Sequence, residues 1–313
     1  MGENIRPTGL KEYVGQDEVK AKVQLYINVF KKTGKPLPHT LMYAGPGLGK
    51  TSLCRAVASD MNVPFIETFG PTLQKPEDIY KLLCNGGEKI KPNTIIFIDE
   101  VHSVGKEALE ILYPIMEDGS LIVNAKKHTF PPMTILGGTT EPGKLPKPLF
   151  DRFVEKCTLK PYKVDDLVVI GKNTAIKYGI NVKKALLEKL ADISFGTPRL
   201  MNGFINGLRY FMLANDIKEA GLEILKDFLI FRGIDEQGFN ENDRTYMKVL
   251  YDNVIEGERR PVGFNLICKK GKLVKNEVEE LIEPKLLDKG YISFGGKGRF
   301  LTDEGLEYIR QRR

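Results

Sequence analysis

Apolar positions along this chain fall into two kinds of run. Short unbroken stretches near residues 41–44, 63–67, 94–98 and 133–136 are long enough for a buried strand and too short for a helix. Between them the apolar positions return at helical spacing. Val19, Val23, Ile27 and Phe30 share one face of a helix running from Asp17, read as its cap, to about Lys32. Further helices are predicted over 51–61, 76–84 and 106–116, and a helical segment runs from Val164 to about Phe231. Strands that alternate with helices predict a parallel sheet covered on both faces. Leu121, Ile122 and Val123 turn through 124–128 and return at Thr129 and Phe130 as a hairpin.

From Gly238 the pattern changes. Asn242 is read as the cap of a helix over 243–255, a second helix follows Pro261, and a third covers about 276–287. Strands at 291–294 and 299–302 flank Gly295, Gly296, Lys297 and Gly298. Three helices followed by a glycine-tipped hairpin predict a winged helix. Residues 259–275 hold Arg259, Arg260, Lys269, Lys270, Lys272 and Lys275 with no acid. A basic helix with a basic wing tip is an electrostatic footprint for nucleic acid. The acids elsewhere in the tail leave open a merely solvated domain.

The strand–helix junction at 41–52 organises the rest. An apolar run turns through Gly45, Pro46, Gly47 and Gly49, and Lys50 and Thr51 open the next helix. Backbone N–H groups and the helix dipole there favour phosphate. Lys50 would reach the outer phosphates, and the Thr51 hydroxyl would ligate magnesium. The usual first glycine is replaced by Ala44. A purely structural glycine turn leaves the Lys-Thr pair unexplained. The strand over 94–98 ends in Asp99 and Glu100, at the strand edge where α/β folds place ligands. Asp99 would complete the magnesium shell and Glu100 would polarise the attacking water. The strand over 133–136 leads to Gly137-Gly138-Thr139-Thr140. There Thr139 is expected to sense the terminal phosphate; the competing reading is a threonine satisfying its own turn. Thr197 suits a helix cap and Pro198 a first turn, so Arg199 would project from a helix start toward phosphate.

Composition narrows the class only a little. At 313 residues the chain is long enough for two or three domains. Its 42% apolar and 28% charged residues match soluble globular protein. No apolar run is long enough to span a membrane, and the polar N-terminus lacks a signal-peptide core, so a cytoplasmic protein is expected. Cys54, Cys84, Cys157 and Cys268 form no CxxC pair, and with only 3 histidines a transition-metal site is not expected. The formal charge of +6 permits an anionic partner without requiring one.

Taken in order, Arg6-Pro7, Glu12-Tyr13-Val14-Gly15-Gln16, GPGLGKT, IDEVH, GGTT, Asp151-Arg152-Phe153, Gly196-Thr197-Pro198-Arg199 and the winged helix resemble the RuvB family, AAA+ motors that drive branch migration at Holliday junctions. The resemblance covers nearly the whole chain. It includes stretches that general ATPases do not share: Leu112-Tyr113-Pro114 with Met116-Glu117-Asp118, residues 231–244, Pro261-Val262-Gly263, and Glu283-Pro284 with Leu286-Leu287. It implies an α/β AAA+ sheet with helices on both faces over 1–160, an all-α lid over 161–235 and a winged-helix DNA-binding domain over 236–313.

The resemblance also implies roles. Ile5 and Arg6 border the adenine site with Tyr162, and Tyr13 and Val14 count among the nucleotide-binding residues. Gly45, Gly47, Gly49, Lys50, Thr51 and Ser52 hold the phosphates of ATP or ADP, with Mg2+ on Thr51 and Asp99. Arg199 resembles the second sensor of the lid. Arg152 resembles the arginine finger that enters a neighbouring subunit's site, which implies a homo-oligomer, a hexameric ring in this family. Lys297 and Arg299 match the DNA-contacting wing, and duplex DNA and four-way junctions are the implied partners. Ala44, Ser103 and Phe294 depart from the family's usual Gly, Arg and Arg, and the segment between Met116 and Gly137 is shorter. In the family the hairpin in that segment docks the junction-binding protein RuvA through an apolar tip. The tip here, residues 124–128, is polar and basic, so dependence on a RuvA-type partner stays open. An initiator-type, nucleotide-switched DNA-binding protein is the alternative to a motor. A clamp-loader reading is disfavoured by the winged-helix tail.

Overall fold

The four apolar runs become parallel strands: β1 (Thr40–Tyr43), β2 (Phe65–Phe69), β3 (Thr94–Asp99) and β4 (Met133–Thr139). A fifth, β5 (Glu155–Thr158), joins them at one edge. The sheet order is β2-β3-β4-β1-β5, with every pairing parallel. Ile95, Ile96, Phe97 and Ile98 are fully buried in β3, each contributing roughly 1.5–3 kcal/mol relative to exposure. The edge strand β5 escapes the hydropathy pattern because only Cys157 of its four residues is buried. In this computed structural model the described residues are 6–85, 88–123, 126–255 and 258–312. Ile5 and the hairpin-tip residues Asn124 and Ala125 lie outside them.

Connectivity places the chemistry. The chain leaves β1, crosses past β4 and β3 to β2 at the edge, then steps back through β3 to β4. The C-terminal ends of β1, β3 and β4 therefore lie side by side, at a reversal of strand order where open α/β sheets bind ligands. Helices Asp17–Thr33, Lys50–Met61, Pro76–Leu83 and Lys106–Asp118 accompany the sheet. The core against Lys106–Asp118 joins Leu109, Leu112 and Ile115 to Ile96, Ile98, Leu149 and Phe153. That helix stops at Gly119, left-handed with φ 62°, a conformation glycine reaches without steric cost. Asp17 is not the cap of the first helix. Gln16 holds that place without a side-chain capping bond to the helix, and Asp17 sits in the first turn, 2.9 Å from Lys20.

The chain divides into two compact units, Met1–Asp166 and Leu167–Arg313. The second carries helices Lys184–Asp192, Pro198–Ala214 and Leu225–Arg232, then Glu241–Tyr251 and Phe264–Gly271. The expected third helix is broken: Lys275–Glu277 passes through a π-helical turn, Val278–Ile282, into Glu283–Asp288. Strands Ile292–Gly295 and Gly298–Leu301 pair as the wing, and Asp303–Arg310 is a further helix. Asn240, not Asn242, caps Glu241–Tyr251. Its side chain accepts the Asp243 N–H while Asp243 accepts the Asn240 N–H, a reciprocal box.

Among the described residues, three further antiparallel strand pairs stand outside the main sheet in addition to the wing. One, Ser120–Val123 with Lys126–Thr129, was expected. Two were not: Cys84–Asn85 with Glu88–Lys89, and Val254–Ile255 with Glu258–Arg259. Two-residue strands are too short to show a period. The cysteines are free, and among the described residues no helix is long and apolar enough to cross a membrane.

Candidate active site

The loop after β1 is tied at both ends. The Ala44 N–H donates to the Thr139 carbonyl at 3.2 Å, extending β1 alongside β4. At the far end the Lys50 ammonium, buried at 7% exposure, donates back to the Ala44 carbonyl at 2.9 Å. Gly47 and Gly49 take φ of 79° and 97°. A side chain at Gly49 would lie 2.8 Å from the Tyr13 hydroxyl, so this turn needs glycine on both counts. Helix Lys50–Met61 has no acid in its first turn and no side-chain cap. Its leading N–H groups are therefore left to an anion.

Two tyrosines brace this loop from the N-terminal segment and the end of the first unit. The Tyr13 hydroxyl donates to the Gly49 carbonyl at 3.3 Å, and the Tyr162 hydroxyl donates to that of Tyr13 at 3.0 Å. Burial pushes the ionisation of both upward, that of Tyr13 well upward, so both stay neutral. Val14 is half-buried beside Tyr13. Arg6 is exposed and lies 3.5 Å from Glu67.

The carboxylates sit at the end of β3. Burial raises the Asp99 carboxyl above its ordinary value, and the Lys50 charge pulls it back down. A side chain at Gly138 would meet Asp99 Oδ1 at 3.0 Å, so glycine on β4 preserves the space around that oxygen. Thr51, half-buried in the first helical turn, and Asp99 suit magnesium. Magnesium takes one or two carboxylates and completes its shell with substrate phosphate and water.

Glu100 turns the chain with φ 49°, a left-handed conformation in which a non-glycine residue is strained. Its Oε2 accepts the Thr140 hydroxyl at 3.1 Å and the Thr140 N–H at 3.3 Å. The sequence alone points to Thr139 for the sensing role. That residue is fully buried, its hydroxyl 2.8 Å from His102 Nδ1 and accepting the Glu141 N–H at 3.0 Å. Thr140, one residue past the end of β4, is the threonine that hydrogen-bonds Glu100. His102, 10% exposed, also lies 3.3 Å from Glu100 and 3.5 Å from Glu141. These partners were missed; the Thr-Thr pair and the His of IDEVH were their only trace in the sequence.

Arg152 ends the short helix Lys147–Arg152 and pairs with Glu117 at 2.9 Å. Arg199, in the second unit, is exposed at the second position of helix Pro198–Ala214, which Thr197 and Pro198 begin as expected. In the wing, Lys297 is exposed in the turn between the strands. Arg299 has an internal partner instead. Its guanidinium meets both oxygens of the buried Glu283, at 2.8 and 3.2 Å, and lies between the rings of Phe264 and Phe294. Glu283 also accepts the Tyr246 hydroxyl at 2.7 Å. Of the basic run, Arg259 pairs with Asp303.

A loop for anions with a buried lysine, a strand-end Asp-Glu pair and a threonine facing the glutamate together form a site for nucleoside triphosphate hydrolysis. Comparison with known proteins extends this beyond the site. Residues 5–159 match the model of the Holliday junction DNA helicase RuvB P-loop domain, and residues 236–310 match that of the RuvB C-terminal winged helix domain. The Holliday junction branch migration complex subunit RuvB of Lactobacillus gasseri is 33% identical over 96% of this chain and 89% of its own length. That of Helicobacter pylori is 32% identical over 98% and 91%. The solved structure of the Thermotoga maritima RuvB Holliday junction branch migration motor superposes with a TM-score of 0.84, at 30% identity over 98% of each chain. With the ATPase site and the winged helix both matched, this chain belongs to the RuvB family.

Proposed function

We propose that the chain is an ATP-driven DNA motor that migrates the branch point of Holliday junctions. The observation that supports it most is the convergence of three strand ends, which brings the anion loop, Asp99 and Glu100, and Thr140 together. The phosphates of ATP lie on the backbone N–H groups of residues 45 and 47–51, held also by Lys50, Thr51 and Ser52. Thr51 and Asp99 would hold Mg2+, which neutralises charge on the phosphate oxygens. Glu100 accepts the proton of the attacking water, and Thr140 holds that carboxylate in place. Arg6, Tyr13, Val14 and Tyr162 enclose the base. Arg199 reads phosphate from the lid, and Arg152 acts on the neighbouring subunit's nucleotide within a ring, hexameric as in the family. Residues 1–160, 161–235 and 236–313 are the motor, lid and DNA-binding parts of a cytoplasmic protein.

A four-way junction with ATP tests this reading. Steady, DNA-stimulated hydrolysis without sequence preference and separation of the junction into duplex products are expected. Tight binding to one sequence with little turnover would replace the motor with an initiator-type switch.

Two DNA contacts make separate predictions. Lys297→Ala weakens duplex binding about equally across sequences and lowers the salt slope by about one, with the melting midpoint unchanged. Arg299→Ala acts through folding instead. It strands Glu283, at 7% exposure, and costs roughly 3 kcal/mol of stability, read by denaturant unfolding.

The second contact is the hairpin Ser120–Val123 with Lys126–Thr129. Lys126 and Lys127 are exposed on it, and Ile122 is 71% exposed. Among the described residues of the hairpin Ile122 is the exposed large apolar side chain, and its burial offers about 2 kcal/mol, little against the cost of association. The basic pair therefore favours DNA phosphate over an apolar partner. Lys126→Ala with Lys127→Ala lowers DNA affinity, and the wild-type protein unwinds junctions alone. Strict dependence of unwinding on an added RuvA-type protein, with a complex on gel filtration, would assign the hairpin to that partner.

A further inference from the structure

The guanidinium of Arg152 is held on several sides by its own chain. Nε donates to the Tyr113 carbonyl at 3.3 Å, one terminal nitrogen to the Pro148 carbonyl at 2.9 Å, and the other to Glu117 Oε2 at 2.9 Å. The guanidinium carbon lies 4.5 Å from the centre of the Tyr113 ring. Tyr113 and Glu117 stand four residues apart on helix Lys106–Asp118, a spacing that puts both on one helix face. Both belong to the stretch over 112–118 that nucleotide chemistry leaves without a task.

The arrangement is more than an exposed ion pair. Glu117 is 63% exposed, and a pair that open to water contributes little by itself. Two backbone carbonyls and an aromatic face add direction without cancelling the charge. A guanidinium has about five N–H groups, and the three contacts use one on each nitrogen. One on each terminal nitrogen remains for an incoming anion. An unseated arginine would have to lose its rotamer freedom at every encounter.

We propose that Tyr113 and Glu117 are positioning residues, a seat that orients Arg152 before it meets the neighbouring subunit's nucleotide. The proposal rests on reading Arg152 as a finger acting in trans. The seat acts in cis with the finger it holds, so its loss follows the subunit that donates the arginine.

DNA-stimulated ATP hydrolysis by the full-length protein tests this. Tyr113→Leu and Glu117→Ala each lower kcat roughly three- to tenfold, the range expected for a lost cation–π or ionic alignment. The KM for ATP and the melting midpoint stay unchanged. Tyr113→Phe, which keeps the ring, restores kcat. Either seat substitution added to Arg152→Ala causes no further loss. In mixed rings, Lys50→Ala subunits, with finger and seat intact, restore part of the rate of a seat variant; Lys50→Ala subunits carrying the seat substitution restore less. Unchanged or raised kcat in both Tyr113→Leu and Glu117→Ala, with Arg152→Ala still inactive, would overturn the seat alone. Full turnover by Arg152→Ala would remove the finger reading and the seat with it. If Tyr113→Leu fails to fold, Glu117→Ala at its exposed position carries the test.

Discussion

Lys50→Ala abolishes ATP hydrolysis, and Glu100→Gln binds ATP without turning it over. The two losses have different causes. Lys50 is a buried cation that donates to the Ala44 carbonyl and offsets the raised ionisation of Asp99. Alanine removes the one charged side chain of the phosphate loop. Loss of a single preorganised donor to a developing charge typically costs about 10²–10³ in rate, and a full charge at the phosphates costs at least that. Glutamine at 100 keeps an oxygen where Thr140 now donates, so the turn and the nucleotide pocket survive. It has no proton-accepting power, and loss of a general base costs about 10²–10⁴. Nucleotide binding by fluorescence together with phosphate release separates the two variants. Normal turnover by either would remove its assignment.

Arg152→Ala binds nucleotide normally and hydrolyses it roughly 10³–10⁵-fold more slowly, the range measured for arginine fingers. Mixing it with Lys50→Ala restores part of the activity. The first variant contributes an intact pocket and the second an intact finger, and the two meet at one class of subunit interface. Recovery depends on rings that contain both variants, which subunit exchange of labelled proteins can verify. Mixed rings that form and stay inactive would mean that Arg152 acts within its own subunit or not at all.

Much of this molecule could be read from its residues in order. The phosphate loop, β3 with its acidic end, and the succession of helices and wing in the tail rest on local signals. Each is a glycine in a turn, a run of four apolar side chains or a helical period. The edge strand β5 was not legible, since a strand with one buried residue carries no period. The cap at Asn240 and the π-helical turn at Val278–Ile282 were also missed. A reciprocal cap and a neighbouring asparagine look alike until the backbone has chosen where to turn.

The sequence by itself determined the class of chemistry, because an anion loop and a strand-end carboxylate pair are built within a few residues of chain. Tertiary structure decided which side chains serve that chemistry. The ends of β3 and β4 lie side by side, so that Thr140, just past β4, hydrogen-bonds Glu100 while the Thr139 hydroxyl meets His102. Arg299 is held by Glu283, and Arg152 by Tyr113 and Glu117, because folding brings separate elements within hydrogen-bond reach. An arginine's length and charge are written in the sequence. Which carboxylate it reaches first depends on distances that only the packed chain defines.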